Sequence, residues 1–146
     1  FTTSPYNGFD THANEAVQHA GLWKDVSNTV DTFMTDLFEH QASENMLLFM
    51  FSEFGRRIPD NGSGTDHGAA GIAFALGEHV IGGIYGEYPS LMPEKQYEDG
   101  NLKFNLDFRS VYSSILEDWL CWIRLRSSEA ISDELSFSKL HCGTFI

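Results

Sequence analysis

The chain has 146 residues, 42% of them hydrophobic, a formal net charge of -12 and two cysteines. A chain of this length makes one domain and buries roughly two-thirds of its unfolded surface, so it is not a disordered segment. The acidic balance, with no basic run beyond Arg56-Arg57, argues against a nucleic-acid backbone or an anionic membrane surface as partner. No apolar stretch approaches the length of about 20 residues that spans a bilayer, so an integral membrane protein is not expected. No basic segment followed by an apolar one opens the chain as a signal peptide would. The start, FTTSPYNGFDTH, has no initiating Met and reads as a piece of a longer protein, in which case the missing signal carries no information about compartment. Surplus carboxylates are read first as a solvated face, although acidic clusters also attract divalent cations.

In chain order, Phe1 to Phe9 mixes three aromatics with Thr, Pro, Asn and Gly, as at the frayed end of a strand followed by a turn. It leads into Asp10-Thr11-His12. Residues two apart in extended backbone point to one side, so this carboxylate and imidazole can converge on one cation. The plainer alternative is that Asp10 caps the next helix and His12 is exposed. From Asn14 to Gln41 the pattern predicts helix, with a break near Gly21 as an option. Leu22, Val26, Val30, Phe33 and Leu37 recur at spacings of three and four and form its apolar stripe. His19 and His40, within it, have no companions at ligand spacing.

Met46 to Phe51 is six apolar residues without alternation. This is the pattern of a strand buried on both faces, as in a parallel sheet covered by helices, with a buried helix turn as the alternative. Strand, long helix and apolar strand then make a βαβ unit with parallel strands. In such a sheet ligands bind beyond the carboxyl ends of the strands, where Ser52, Glu53, Arg56, Arg57, Asp66 and His67 fall. The turn formers of PDNGSG, from Pro59 to Gly64, would fold the chain back and return Asp66 and His67 toward Glu53.

After this loop, Ile72 to Leu76 and Val80 to Tyr85 read as a short strand followed by a turn or second strand. The glycines around them are too irregular for a phosphate-cradling G-x-G-x-x-G. Tyr88 to Asn101 reads as surface loop and Lys103 to Phe108 as a short alternating strand. Phe108 to Ile123 is a second helix, with Asp107 placed to cap it. Cys121 is read as a packed thiol, and His141-Cys142 has no partner at metal-ligand spacing.

Several ordered blocks carry a family resemblance. G-F-D-T-H-A-N from Gly8, F-S-E-F-G-R-R from Phe51, G-S-G-T-D-H-G from Gly62, G-G-I-Y-G-E from Gly82 and D-F-R-S-V-Y with L-E-D-W-L from Asp107 together resemble the carboxyl-terminal part of domain-of-unknown-function family 1501. The resemblance implies membership of the alkaline-phosphatase-like superfamily of phosphatases and sulfatases. It implies an α/β fold, a partial alkaline-phosphatase-like sandwich with a mostly parallel sheet flanked by helices, over residues 1–123. Residues 124–146 are left as a tail without assigned structure.

Carried over residue by residue, the resemblance makes Asp10, His12, Glu53, Asp66 and His67 metal ligands, for zinc or manganese. Beside such a centre Arg56 or Arg57 is placed to bind a small anionic ester bidentately, the alternative being that these arginines pair with nearby carboxylates. Two departures stand out. The first is D-x-H in place of the superfamily's D-x-x-x-H. The second is Phe54 where an Asp-His pair would place histidine; Asp66-His67 is a candidate source of the missing imidazole, either as that pair displaced or as the superfamily's later lone histidine ligand. The nucleophile would lie in the upstream half of the same domain. The implied function is a metal-dependent hydrolase of phosphate or sulfate esters, periplasmic or extracellular through a twin-arginine signal. The alternative is an exported binding or structural protein that retains the fold without turnover.

Overall fold

The structure is a computed structural model, which describes residues 2–120. Its longest element is helix α1 (Glu15–Glu39), 25 residues without a break at Gly21, about 37 Å at the usual rise. Leu22, Trp23, Val26, Val30, Met34 and Leu37 form its half-buried face, while Phe33, expected in that stripe, is 43% exposed. Trp23 docks the helix: its ring lies 5.2 Å from Phe9 and 5.7 Å from Phe74, spacings at which tilted aromatic pairs attract. Packing of this kind outweighs the roughly 1 kcal/mol by which glycine disfavours a helix interior.

Both ends of α1 are closed by hydrogen bonds. At the start, Asn14 adopts a left-handed conformation and makes no side-chain cap of its own. The cap comes from a distant turn instead. Ser63 Oγ accepts from Asn14 N at 2.9 Å, the Ser63 carbonyl accepts from Glu15 N at 3.1 Å, and Thr65 Oγ1 donates to the Glu15 carboxylate at 2.8 Å. At the far end Gln41 turns left-handed with φ 54. Its N–H reaches the Phe38 carbonyl at 3.1 Å while Ala42 N reaches Leu37 O at 2.8 Å. That pair of bonds is a Schellman closure.

Four short strands follow: β1 (Leu48–Phe51), β2 (Gly55–Asp60), β3 (Thr65–Gly68) and β4 (Ala73–Leu76). β1 pairs with β4 and β2 with β3, each antiparallel, in two separate two-stranded sheets. The partners run from Leu48↔Leu76 through Gly55↔Gly68 to Asp60↔Thr65, nearly symmetric about Gly62. The strands are therefore successive parts of one long hairpin, interrupted on both limbs. Helix α2 (Phe108–Ser114) rests Tyr112 on β1, 5.8 Å from Phe49 and 6.1 Å from Phe51, and continues into a wider π-turn over Ile115–Trp119.

This architecture corrects the expected fold class. The described residues form two helices and small antiparallel sheets, not a mostly parallel sheet flanked by helices. No strand precedes α1 among them, so the βαβ unit does not form. The physical reason is the Asn61–Gly64 turn. Asn61 N donates to the Gly64 carbonyl and Asn61 Oδ1 accepts from Ser63 N and Gly64 N, which reverses the chain within four residues. Parallel neighbours would need a crossover of a dozen or more. The unbroken apolar run is a strand as read, but Leu48 to Met50 are only half-buried and Phe51 is 62% exposed, so uniform hydrophobicity did not signal two covered faces.

Lys103 to Phe108 is not a strand, and neither is Val80 to Tyr85. Asp107 caps α2 as read, accepting from Arg109 N at 2.9 Å. Cys121, the expected helix beyond Leu120 and the 124–146 tail with His141-Cys142 lie outside the described residues. Among those residues, no helix is long and apolar enough to cross a membrane.

Candidate metal centre

The extended segment before α1 presents Asp10 and His12 on one side and Thr11 on the other, as the period of two requires. Thr11 is 4% exposed. Asp10 Oδ1 and His12 Nε2 lie 3.1 Å apart. The second contributor is β3. Its register sets His67 opposite Arg56, and from there His67 Nε2 reaches Asp10 Oδ1 at 2.8 Å and His12 Nε2 at 3.1 Å. Three donor atoms from segments more than fifty residues apart thus form a nearly equilateral triangle.

Close approach of backbone makes this meeting available. Gly64 is buried, and a Cβ there would stand 2.7 Å from the Thr11 carbonyl oxygen and 2.9 Å from the His12 carbonyl carbon. The Asp10–His12 segment lies directly against the turn that leads into β3. Asn61 Nδ2 adds a bond to the His12 carbonyl at 3.4 Å, and the Ser63 cap fixes the residues that follow His12. The turn therefore closes the hairpin, starts α1 and supports the ligand segment at once.

Asp66 stands behind His12. Its Oδ1 lies 3.7 Å from His12 Nδ1, on the ring edge away from the triangle, and accepts from Asn61 Nδ2 at 3.4 Å. At that separation the Asp66 carboxylate is a charged neighbour of the imidazole and not its hydrogen-bond partner. Phe54 stacks flat on the His67 ring, with centroids 3.6 Å apart and planes 10° apart, and the His12 ring lies 4.8 Å from it. Phe54 thus packs against a candidate ligand from the position where the resemblance would place histidine.

The donor set fits a divalent cation. With bonds near 2.1 Å, neighbouring donors are about 3.0 Å apart on an octahedral face and about 3.4 Å apart in a tetrahedron. The observed separations of 2.8 to 3.1 Å match the octahedral face and need only slight opening for the tetrahedron. Two imidazoles and one carboxylate suit zinc, manganese or iron over calcium. The side chains of Asp10, His12 and His67 are 60%, 50% and 43% exposed, so the remaining coordination positions face solvent. The Asp10 carboxyl is held below its ordinary value, first by the hydrogen bond from His67 and then by the charges of His12, His67 and Arg56. An ionised carboxylate is the form a cation needs.

Of the residues expected at the site, Asp10, His12 and His67 offer one ligand atom each within 4.8 Å of one another, and Asp66 adjoins them. Glu53, exposed in the link between β1 and β2, falls outside that set. The PDNGSG turn folds the chain back as expected, and the hairpin brings His67 onto Phe54, the residue next to Glu53, and to Asp10. The arginines are engaged within the protein. Arg56 donates to the Phe9 and Thr65 carbonyls, both at 2.7 Å, while Arg57 donates to the His67 carbonyl at 3.1 Å and lies 3.6 Å from Asp99. The supporting roles of Asn61, Ser63 and Gly64 were not expected from the sequence, where their signal was a dense cluster of turn formers just before Asp66; Phe54, singled out as standing in a histidine's place, proves to be the residue stacked on His67.

Searches among curated proteins and among solved structures return no match. A family model does match, over residues 1–105, a span that contains every residue of the triangle and its supports. The chain belongs to the family described as protein of unknown function (DUF1501).

Proposed function

We propose that this chain forms a divalent-metal centre, zinc or manganese, in a hydrolase-like protein acting on phosphate or sulfate esters. The observation that carries the reading is the convergence of Asp10 Oδ1, His12 Nε2 and His67 Nε2. The ester class rests on the resemblance of the ordered blocks to the alkaline-phosphatase-like superfamily, whose metal ligands are likewise carboxylates and imidazoles. An exported location and a nucleophile in the upstream half of the same domain belong to the same reading.

A cation held by Asp10, His12 and His67 would supply Lewis acidity toward a phosphoryl or sulfuryl oxygen. The chain's own residues supply the rest. Asp10 would give the anionic ligand and His12 and His67 the neutral ones, with the Asp66 carboxylate adding negative charge beside His12 and Phe54 fixing the plane of His67. The solvent-facing side leaves room for an ester oxygen.

A second reading, a metal-binding protein without turnover, is favoured by the two arginines already engaged with backbone carbonyls and by Phe54 in a histidine's place. One experiment separates them. The intact protein is stripped with chelator, reloaded with zinc or manganese, and assayed on an aryl phosphate and an aryl sulfate beside Asp10→Ala and His67→Ala. Metal-dependent turnover lost in both variants is the expected result. Tight metal binding without turnover on either ester supports the second reading, and failure to bind metal removes both.

A further inference from the structure

We infer that Arg56 is the positioning residue that assembles the metal centre, by clamping together the two chain segments that carry its ligands. The inference rests on the metal reading above. Arg56 lies on β2, opposite His67 in the register, and its side chain is only 20% exposed. One terminal nitrogen donates to the Thr65 carbonyl at 2.7 Å and the other to the Phe9 carbonyl at 2.7 Å. Each carbonyl belongs to a segment with ligands just downstream: Phe9 is bonded to Asp10, and Thr65 precedes Asp66-His67. The nitrogen on Phe9 also lies 3.5 Å from Asp10 Oδ1, the oxygen that meets both imidazoles.

A guanidinium presents its donors in a rigid planar fork, so fixing one carbonyl fixes where the second must be. The fork is itself held, with its central carbon 5.4 Å from the Phe54 ring centroid, a cation–π distance, while Phe54 stacks on His67. Arg57 Nε secures the His67 carbonyl at 3.1 Å. The two arginines thus bond carbonyls on both sides of Asp66. A lysine at position 56 keeps the charge but has a single nitrogen on a flexible stem and cannot reproduce both bonds in one fixed geometry.

The test compares the intact wild-type protein with Arg56→Lys by competition of zinc with a chromophoric chelator. It also measures, in the metal-free state, cross-relaxation between the His12 and His67 ring protons in histidine-labelled protein. The zinc dissociation constant should rise at least about tenfold in Arg56→Lys, the usual effect of losing a ligand's support, and the contact between rings should weaken without metal. Equal zinc affinity and an intact contact in the variant would overturn the clamp while leaving the metal centre standing. A wild type that binds no zinc would remove the metal reading, and the ring contact would still decide the clamp. Where Arg56→Lys fails to fold, Arg56→Ala with millimolar methylguanidinium replaces it. Recovery of the ring contact supports the clamp, and no recovery in folded protein overturns it.

Discussion

Replacing Gly64 by alanine loads the contact on which the proposed metal centre depends. The new Cβ would sit 2.7 Å from the Thr11 carbonyl oxygen, against an ordinary contact of 3.4–4 Å, so the Asp10–His12 segment and the turn must part by at least about 0.7 Å. Metal–ligand distances tolerate roughly 0.2 Å, so that displacement separates His67 from the other two donors. The opposing atoms are backbone, held by the Asn61 and Ser63 bonds, and relief by a side-chain rotation is not available. The expected outcome is a loss of about 1–3 kcal/mol of stability, as for overpacking elsewhere, and a zinc dissociation constant at least about tenfold higher. Gly62→Ala is the control. Gly62 has a positive φ of 98 but nothing within 4 Å of the added carbon, so its cost of about 1 kcal/mol is local strain and metal affinity should hold. Thermal denaturation and chelator competition on both variants decide it. Gly64→Ala with unchanged melting and affinity within twofold of wild type would refute the reasoning.

Three further outcomes are expected. His67→Ala should cut bound metal, measured by elemental analysis after gel filtration, whereas His141→Ala should leave it unchanged; equal loss in both would point to a different site. Gln41→Gly should raise stability by about 1 kcal/mol, because the left-handed C-terminal position of α1 favours glycine, and a lower melting temperature would show that the Gln41 side chain matters more than its backbone. The Asp107 carboxyl is held down to about 2 from 3.8, first by the hydrogen bond from the Arg109 side chain and then by that from the Arg109 backbone N–H. Its stabilising effect is therefore complete above about 3.8 and fades as pH falls toward 2. Asp107→Asn should lack that part of the acid dependence in a pH series of melting curves, and parallel curves would contradict the assignment.

What the sequence made legible was local. Spacings of three and four found α1, the apolar run found β1, and Asp107 before Phe108 marked the start of α2. The D-x-H spacing correctly placed two donors on one side. What failed was the pairing of strands, because an apolar run states that a strand is hydrophobic and not which neighbour it meets. The deciding information lay in Asn61 and its side-chain bonds, which turned a loop expected at a sheet edge into a tight hairpin. The cluster of Asp10, His12 and His67 forms without that sheet for a physical reason. A hairpin sets residues nearly equidistant from its turn side by side, so His67 returned beside Arg56 and Phe54, and the Gly64 contact carried Asp10 and His12 to it. Glu53 was grouped with them through the parallel sheet, and without that sheet nothing draws it in.

The central claim is one divalent cation held by two imidazoles and a carboxylate, and zinc-edge X-ray absorption on the zinc-loaded intact protein tests it most directly. Two histidine nitrogens at about 2.0–2.1 Å, with the remaining ligands oxygen, are the predicted result, falling to one histidine in His67→Ala. Sulfur in the coordination shell, or a wild-type spectrum without histidine scattering, would contradict it.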